Sequence, residues 1–450
     1  MLTFISFSYA LGPVLGGYLA QGGWRWCFLF GIPPAVLSHI LLFSLLRKDL
    51  VKGRVALQQG DERRTGWVAG LGYIDWVGIA TFMIGLGLVI LAVQWGGTVY
   101  PWNSAAVIAS LVVGGILLVL FSANEHLLEP GRFMARRFPA CTAMMASSLF
   151  HKRDTSLLMI INFSTGVSFV CAFYFVSYYW QLGEGYSSSR SGLQLLCYLP
   201  GLASGIYGAM FLCNVWPRQT FYPLVVGAII ELVALAGLTW AIGKRSTVLV
   251  NVLFAVAGVG TGLRGMPVTL HAAGIWPSRM AAVQSALGFV SPLGETVGIS
   301  MMGSVFTNQF SRYVRDLGIG GEGFVSVSGP SNLDALANLA PTLKEEVRDA
   351  AARAVMWAFV SILPFMALSV VASVFLGNVW IGSPKKVGKD GVVKREETKG
   401  MVMTMSYAFA ACAGGVERNR VEEGLVRGVM EAREREPDVE ASIVQTAVKG

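Results

Sequence analysis

Apolar residues in this chain come in long runs, divided by shorter segments that hold most of the charge. Ten runs lie near residues 2–20, 27–46, 71–94, 104–122, 157–179, 191–213, 221–242, 248–270, 282–306 and 354–380. A helix rises about 1.5 Å per residue, so about 20 apolar residues cross a hydrocarbon layer of about 30 Å. Each run reaches that length or nearly so. The pattern predicts an all-α, polytopic membrane protein with about ten transmembrane helices.

The segments between the runs set the orientation. With the first helix running outward, the inner loops 47–70 and 123–156 hold six and five basic residues. The outer connections 95–103, 180–190 and 243–247 hold none, one and two. Lysine and arginine accumulate on the cytoplasmic side, so this assignment is the one expected. The long outer loop 307–353 is rich in Gly, Ser and Pro, with a helical stretch expected over 342–356. The tail 381–450 is charged and is expected to be cytoplasmic and mostly disordered, with one short helix near 416–435. Residues 401–413 within it are apolar but too short to span.

Composition agrees with a bilayer as solvent: 54% of residues are hydrophobic and 14% charged, with a mean hydropathy of +0.57. The net charge of +8 reads as topology and attraction to anionic lipid. No basic cluster interleaved with aromatics points to nucleic acid. The N-terminus has no basic region of the secretory type, so its first run is read as a retained helix. The six cysteines lack metal-ligand spacing and read as buried, reduced hydrophobes. No metal site and no cofactor are expected.

Local chemistry is richest at residues 8–20, SerTyrAlaLeuGlyProValLeuGlyGlyTyrLeuAla. Gly12, Pro13, Gly16 and Gly17 place a bend and a flat face in a spanning helix, where a neighbour can approach closely. This stretch resembles the antiporter motif of the major facilitator superfamily, with Ser8 in place of the first glycine. Other family-like stretches follow in order. They are TrpArgTrpCysPhe (24–28), TyrIleAspTrpValGly (73–78), GlnTrpGlyGly (94–97), ProTrpAsnSer (101–104), ArgAspThrSerLeuLeu (153–158) and SerTyrTyrTrpGln (177–181). SerGlyLeuGlnLeuLeu (191–196), AsnValTrpProArgGln (214–219) and GlyValGlyThrGlyLeuArgGlyMetPro (258–267) complete the set. Together they resemble the fourteen-helix drug:proton antiporters of that superfamily, especially fungal toxin and multidrug efflux pumps.

The resemblance covers about residues 5–380 and implies a domain plan. Residues 1–46 would be the last two helices of a first transporter half, followed by the cytoplasmic loop 47–70. Residues 71–122 would be two linker helices, followed by the cytoplasmic loop 123–156. Residues 157–380 would be a second, six-helix half. In the family the antiporter motif lies on the fifth helix, so four earlier helices are expected to be absent. A cavity between halves would then lack most of one wall, and the 450 residues alone are expected not to carry out coupled transport.

The function implied is proton-coupled efflux of hydrophobic small molecules such as drugs, toxins or secondary metabolites, with the proton gradient as energy source. An uptake permease for a nutrient or iron chelate, and a non-transporting truncated membrane protein, stay open. The partners expected are the lipid bilayer, a small-molecule substrate and protons, with the protein a monomer. The plasma membrane is the expected location, a vacuolar or vesicle membrane the alternative. No catalytic constellation is present, and an enzyme is not expected. His39, His126, His151 and His271 are scattered along the chain. GlyThrGlyLeuArgGly (260–265) has the spacing of a dinucleotide loop but sits inside an apolar run without a preceding strand.

Charges within the runs need an account, since each costs roughly 2.5–3.5 kcal/mol at a helix centre. Glu231 and Glu295 are proton-coupling candidates, with packing through a hydrogen bond as the alternative. Pro292 and Gly294 would open the helix beside Glu295. Asp75 is a weaker candidate that reads mainly as a capping residue. Arg264 is a further proton-coupling candidate, which either snorkels to the interface or pairs with a carboxylate. Asn162, Phe169, Phe173, Tyr174, Tyr178, Gln181, Gln194 and Tyr198 recur at helical spacings and are candidates for substrate contact. Helix packing is the competing role for each.

Overall fold

The computed structural model describes residues 2–57, 75–96, 99–128, 132, 137, 147–277, 279–317, 341–381, 401–403 and 406–412. They form a helical bundle with one small strand pair. In chain order the helices are α1 (Leu2–Gln21), α2 (Trp24–Leu57), α3 (Trp76–Trp95), α4 (Ala105–Leu127), α5 (Arg153–Tyr178), α6 (Ser188–Leu195) and α7 (Tyr198–Asn214). They continue with α8 (Phe221–Gly243), α9 (Thr247–Ile275), α10 (Met280–Asp316), α11 (Pro341–Phe375) and α12 (Tyr407–Cys412). A 3-10 turn at Ser147–His151 leads into α5, and a π-turn, Tyr179–Gly183, ends it. Strands β1 (Asn378–Trp380) and β2 (Met401–Met403) pair antiparallel, with Val379 opposite Val402.

Eight segments of the described residues are helical, long and apolar enough to cross a membrane. Eight of the ten expected runs correspond to them. The other two, 2–20 and 282–306, are also helical, as α1 and α10, but stand outside that set of eight. The run 191–213 is one span made of two pieces, α6 and α7, broken at Leu196 and Cys197.

The boundaries at the long loop differ from expectation. Helix α10 runs on for 37 residues to Asp316, and α11 starts at Pro341. The segment 307–353 is therefore helical at both ends. On α10 the added turns bury Phe310 and Val314, and on α11 the charges ahead of the apolar run find partners. Glu345 and Asp349 of α11 bind Arg245 in the α8–α9 turn at 2.8 and 2.7 Å, and Arg348 binds Glu345 at 3.2 Å. The expected stretch 342–356 is the beginning of α11 itself.

The tail also departs from expectation where it is described. Met401–Met403 adds to β1, and Tyr407 packs its ring on Phe221 at 4.9 Å between centroids. Ser406 Oγ donates to the Val374 carbonyl at 2.9 Å, and the Tyr407 amide to the Leu376 carbonyl at 3.1 Å. Aromatic burial and capping of the last α11 carbonyls account for the ordering of an apolar segment too short to span. The expected helix near 416–435 lies outside the described residues.

Small residues set the helix spacing. Gly201 and Gly205 of α7 interlock with Gly258 and Gly262 of α9, and a Cβ on any of the four would run into backbone of the facing helix. On the other flank of α9, a Cβ on Gly260 would lie 2.6 Å from Glu231 Cβ of α8. Helix α9 is thus clamped between α7 and α8. This is how a dinucleotide-like glycine spacing serves in a membrane helix.

The Gly12–Gly17 stretch behaves unevenly. A Cβ on Gly17 would lie 2.6 Å from the Ser188 carbonyl of α6, and one on Gly192 of α6 would strike the Pro13 carbonyl. Gly12 and Gly16 face open space among the described residues. The close approach therefore runs along one edge of the expected flat face. Beside it, Gln21 Nε2 donates to Ser189 Oγ at 2.8 Å. Cysteines placed at Gln21 and Ser189 should cross-link in the parent protein. Gly17→Leu should abolish the cross-link by forcing α1 off α6, and a retained cross-link would contradict this packing.

Helices α3 and α4 form a tight hairpin. Asp75 caps α3 by accepting from Gly78 N at 2.8 Å and from Asn124 Nδ2 of α4 at 2.7 Å. Ser300 Oγ of α10 donates to the Ile90 carbonyl at 3.4 Å, and Phe289 packs on Phe82 at 4.8 Å. By contrast, the apolar window within Arg25–Leu45 of α2 buries none of its residues in the bundle. That composition suits a helix facing lipid.

Candidate functional site: a buried ion pair beside an aromatic cluster

Glu231 and Arg264 meet in the interior of the α5–α11 bundle, each about 1% exposed. Arg264 Nη2 contacts Glu231 Oε2 directly. Close approach of α8 and α9 makes the pair possible, because Gly227 and Gly260 leave no side chain between the helices. Glu231 Oε1 also accepts from Ser168 Oγ of α5 and from Thr261 Oγ1 of α9, the latter at 2.9 Å. Arg264 Nη1 donates to Ser369 Oγ of α11 at 2.9 Å. Four helices thus supply one polar network in an apolar interior. The network satisfies the pair in part: Arg264 Nε has no hydrogen-bond partner among the described residues, a cost a buried ion pair carries.

An aromatic cluster adjoins it. The Phe173 ring lies 4.8 Å from Tyr198, 5.5 Å from Phe169 and 5.6 Å from Phe254. Tyr198 OH donates to Thr261 Oγ1 at 2.7 Å. A continuous chain of hydroxyls therefore runs from the aromatic cluster through Thr261 to the Glu231 carboxylate.

Of the eight residues expected to contact substrate, the structure gathers Phe169, Phe173 and Tyr198 in this cluster. The other five have partners elsewhere. Asn162 Nδ2 donates to the Leu287 carbonyl at 2.6 Å, and Gln194 accepts from Asn251 at 2.7 Å. Tyr174 and Tyr178 share a hydrogen bond at 2.9 Å, and Gln181 donates to Ser177 at 2.8 Å. Glu295 is half-buried on α10, hydrogen-bonded by Ser291 and beside Cys171. Asp75 is held in its cap on the α3–α4 hairpin.

Sequence reasoning missed Ser168, Phe254, Thr261 and Ser369, because one hydroxyl or ring in an apolar helix carries no signal of its own. It also read His271 as isolated. The structure buries it between Thr220, at 2.7 Å from Nδ1, and Asp154, at 3.9 Å from Nε2. The three come together from separate helix ends, which spacing along one helix cannot reveal. At the opposite end of the bundle Arg245 joins Glu184, Glu345 and Asp349. Burial alone would lower the Arg245 pKa, but the hydrogen bonds it donates to these carboxylates hold it above its ordinary value. Cys27, Cys171, Cys197 and Cys213 are free thiols; Cys171 and Cys213 are buried as expected, whereas Cys197 is half-buried and Cys27 exposed. Among the described residues no group of metal-ligating side chains gathers.

Residues 3–239 match the sequence profile of the fungal trichothecene efflux pump (TRI12) family. The chain belongs to that family. This is a family of membrane transporters of the major facilitator type, in line with the resemblance read from the motifs. Among relatives, the chain is 27% identical over 314 residues to efflux pump apf11 of Gibberella fujikuroi, covering 67% of this chain and 51% of that protein. It is 26% identical over 318 residues to the aspyridones efflux protein of Neocamarosporium betae, covering 67% and 50%. It is 25% identical over 383 residues to the MFS-type transporter ppz2 of Metarhizium majus, covering 82% and 61%. The chain spans about half the length of the first two of these curated relatives and somewhat more of the third. The TRI12 match takes in α1 through most of α8, including Ser168, Phe169, Phe173, Tyr198 and Glu231. Arg264 and Thr261 fall beyond it.

Proposed function

We propose that residues 157–380 supply the substrate- and proton-binding half of a proton-coupled efflux system for hydrophobic small molecules, with Glu231 as the carboxylate that exchanges the proton. The observation that carries this reading is the hydroxyl chain joining the aromatic cluster to the buried Glu231–Arg264 pair. Flat apolar molecules with a few polar groups suit a cluster of Phe169, Phe173, Tyr198 and Phe254. A polar group presented there would compete for Tyr198 OH, and the disturbance would reach Glu231 through Thr261. Relatives named as efflux proteins support the direction of transport. In this reading residues 1–46 belong to a first half, 71–122 are linker helices, and 157–380 form the half that rocks around the site. Arg264 positions the carboxylate, Glu295 is a second proton-coupling candidate, and Asp75 stays a cap. Action as a monomer in the plasma membrane belongs to the same proposal.

The reading is tested on the purified protein in lipid nanodiscs with a flat aromatic cationic dye as probe. If proton and substrate exclude one another, dye affinity falls about tenfold as pH drops through the titration of the coupling carboxylate. Glu231→Gln/Arg264→Met removes the ionisable group without stranding a buried charge, and should make affinity independent of pH. Glu295→Gln should leave the dependence in place. Its loss in Glu295→Gln alone would move the coupling role to α10. Unchanged pH dependence in both variants would overturn the proton-coupling proposal.

A further inference from the structure

A second buried acid–base pair lies away from the Glu231 site, at the end of the bundle that carries β1 and β2. His271 is on the last turns of α9, seven residues and so about 10 Å along the helix from Arg264. Its ring is fully buried, and Asp154 in the first turn of α5 is 3% exposed. Asp154 Oδ2 and His271 Nε2 face each other at 3.9 Å, and neither has a hydrogen-bond partner among the described residues. Two unpaired polar atoms, one from an acid and one from an imidazole, would each carry the desolvation penalty of an unsatisfied buried group.

The surrounding groups hold both elements in place without supplying the missing hydrogen bond. Arg153 Nη2 lies 3.4 Å from Asp154 Oδ1 and donates to the Phe375 carbonyl at 3.0 Å. Lys152 Nζ caps the Ile275 carbonyl at 3.0 Å and sits over the Trp276 ring, which Arg279 also approaches. Trp276 Nε1 donates to Thr155 Oγ1 at 2.8 Å. On the other side of the imidazole, Thr220 Oγ1 lies 2.7 Å from Nδ1, 3.3 Å from the Val379 amide and 3.5 Å from the Val379 carbonyl. The tail side of β1 presents the Tyr222–Tyr407 hydroxyl pair.

We propose that Asp154 and His271 form a proton-binding site that fastens strand β1 to the bundle when occupied. One added proton makes the imidazole a donor at both nitrogens. Nε2–H then serves the Asp154 carboxylate, and Nδ1–H must donate to Thr220 Oγ1. The Thr220 hydroxyl hydrogen is thereby left to the Val379 carbonyl. A single protonation fixes the direction of every hydrogen bond from α5 through α9 and α8 to β1. It also gives the buried Asp154 carboxylate a second cationic partner, on Oδ2, beside Arg153 on Oδ1. The ligand is a proton alone, and the proposal stands whether or not Glu231 couples transport.

The test is nitrogen-15 NMR of histidine-labelled, full-length protein in nanodiscs. The chain has four histidines, and loss of one signal in His271→Gln assigns the resonance. The His271 signal should move to the imidazolium position between about pH 8 and 5, the range in which a histidine switches charge. Asp154→Asn should weaken proton binding by about tenfold or more, the usual effect of removing an adjacent opposite charge. Thr220→Val should weaken it several-fold by removing the acceptor of Nδ1–H, and serves if Asp154→Asn does not fold. A His271 signal that stays neutral throughout that range would overturn the proposal. So would a titration unaltered in whichever of the two partner variants folds.

Discussion

Glu231→Gln should lower folding stability by about 3–5 kcal/mol, the effect of removing one partner from a buried ion pair. Glutamine fills the space and can still accept from Ser168 and Thr261, but it leaves the Arg264 guanidinium without a counter-charge. Ser369 is a neutral partner and cannot replace it. Replacing both members, as Glu231→Gln/Arg264→Met, should recover most of the loss, because an uncharged interior no longer carries the desolvation cost. Denaturant unfolding in mixed micelles, followed by tryptophan fluorescence, measures both. A single variant within about 1 kcal/mol of the parent would mean that the pair does not persist in the folded protein.

Gly262→Leu should be as damaging for a different reason. A Cβ at this position runs into the Leu202 carbonyl and lies 2.8 Å from the Ile206 amide. Backbone cannot rotate away as a side chain can, so α7 and α9 must separate. The loss of packing is expected to reach about 3 kcal/mol or more, at the upper end for overpacking. Gly265→Leu supplies the control, three residues along the same helix. Nothing lies within 4 Å of its Cβ, and leucine has the better helix propensity by about 0.8 kcal/mol. The control should be neutral or slightly stabilising in the same unfolding measurement. Equal losses at the two positions would show that helix spacing is not what Gly262 controls.

The spans were legible because lipid imposes a simple demand: about 20 apolar residues with few charges. Helix ends were less legible, since α11 begins ahead of its apolar run on charges whose partner lies far along the chain, and α10 runs on with Phe310 and Val314 buried. Arg245 is 100 residues from Glu345. The site shows the same division. Glu231 and Arg264 stood out because charges inside apolar runs are costly, and pairing with a carboxylate was one of two roles open to Arg264. Which carboxylate it meets depends on the register of α8 against α9, set by Gly227 and Gly260. Ser168 and Ser369 reach the pair from two further helices, and no local signal marks them. Aromatic spacing located Phe169, Phe173 and Tyr198, but could not separate them from Tyr174 and Tyr178, which bond to each other instead. His271 was passed over because Asp154 and Thr220 are remote in sequence and adjacent only at converging helix ends.

The return of β2 and α12 to the bundle bears on where the chain can be cut or joined to another protein. Residues beyond the last long helix look dispensable by hydropathy, and position 382 is an obvious boundary for a shortened version. A cut there would remove Met401–Met403 from β1 and strip Tyr407 from Phe221 and Phe409 from Phe375. It would uncover the Phe221 ring, which is buried now, and leave Val374 without the hydroxyl that caps its carbonyl. A boundary placed after Cys412 keeps all of these contacts. Crystallographic trimming, affinity handles and fluorescent fusions therefore belong downstream of α12.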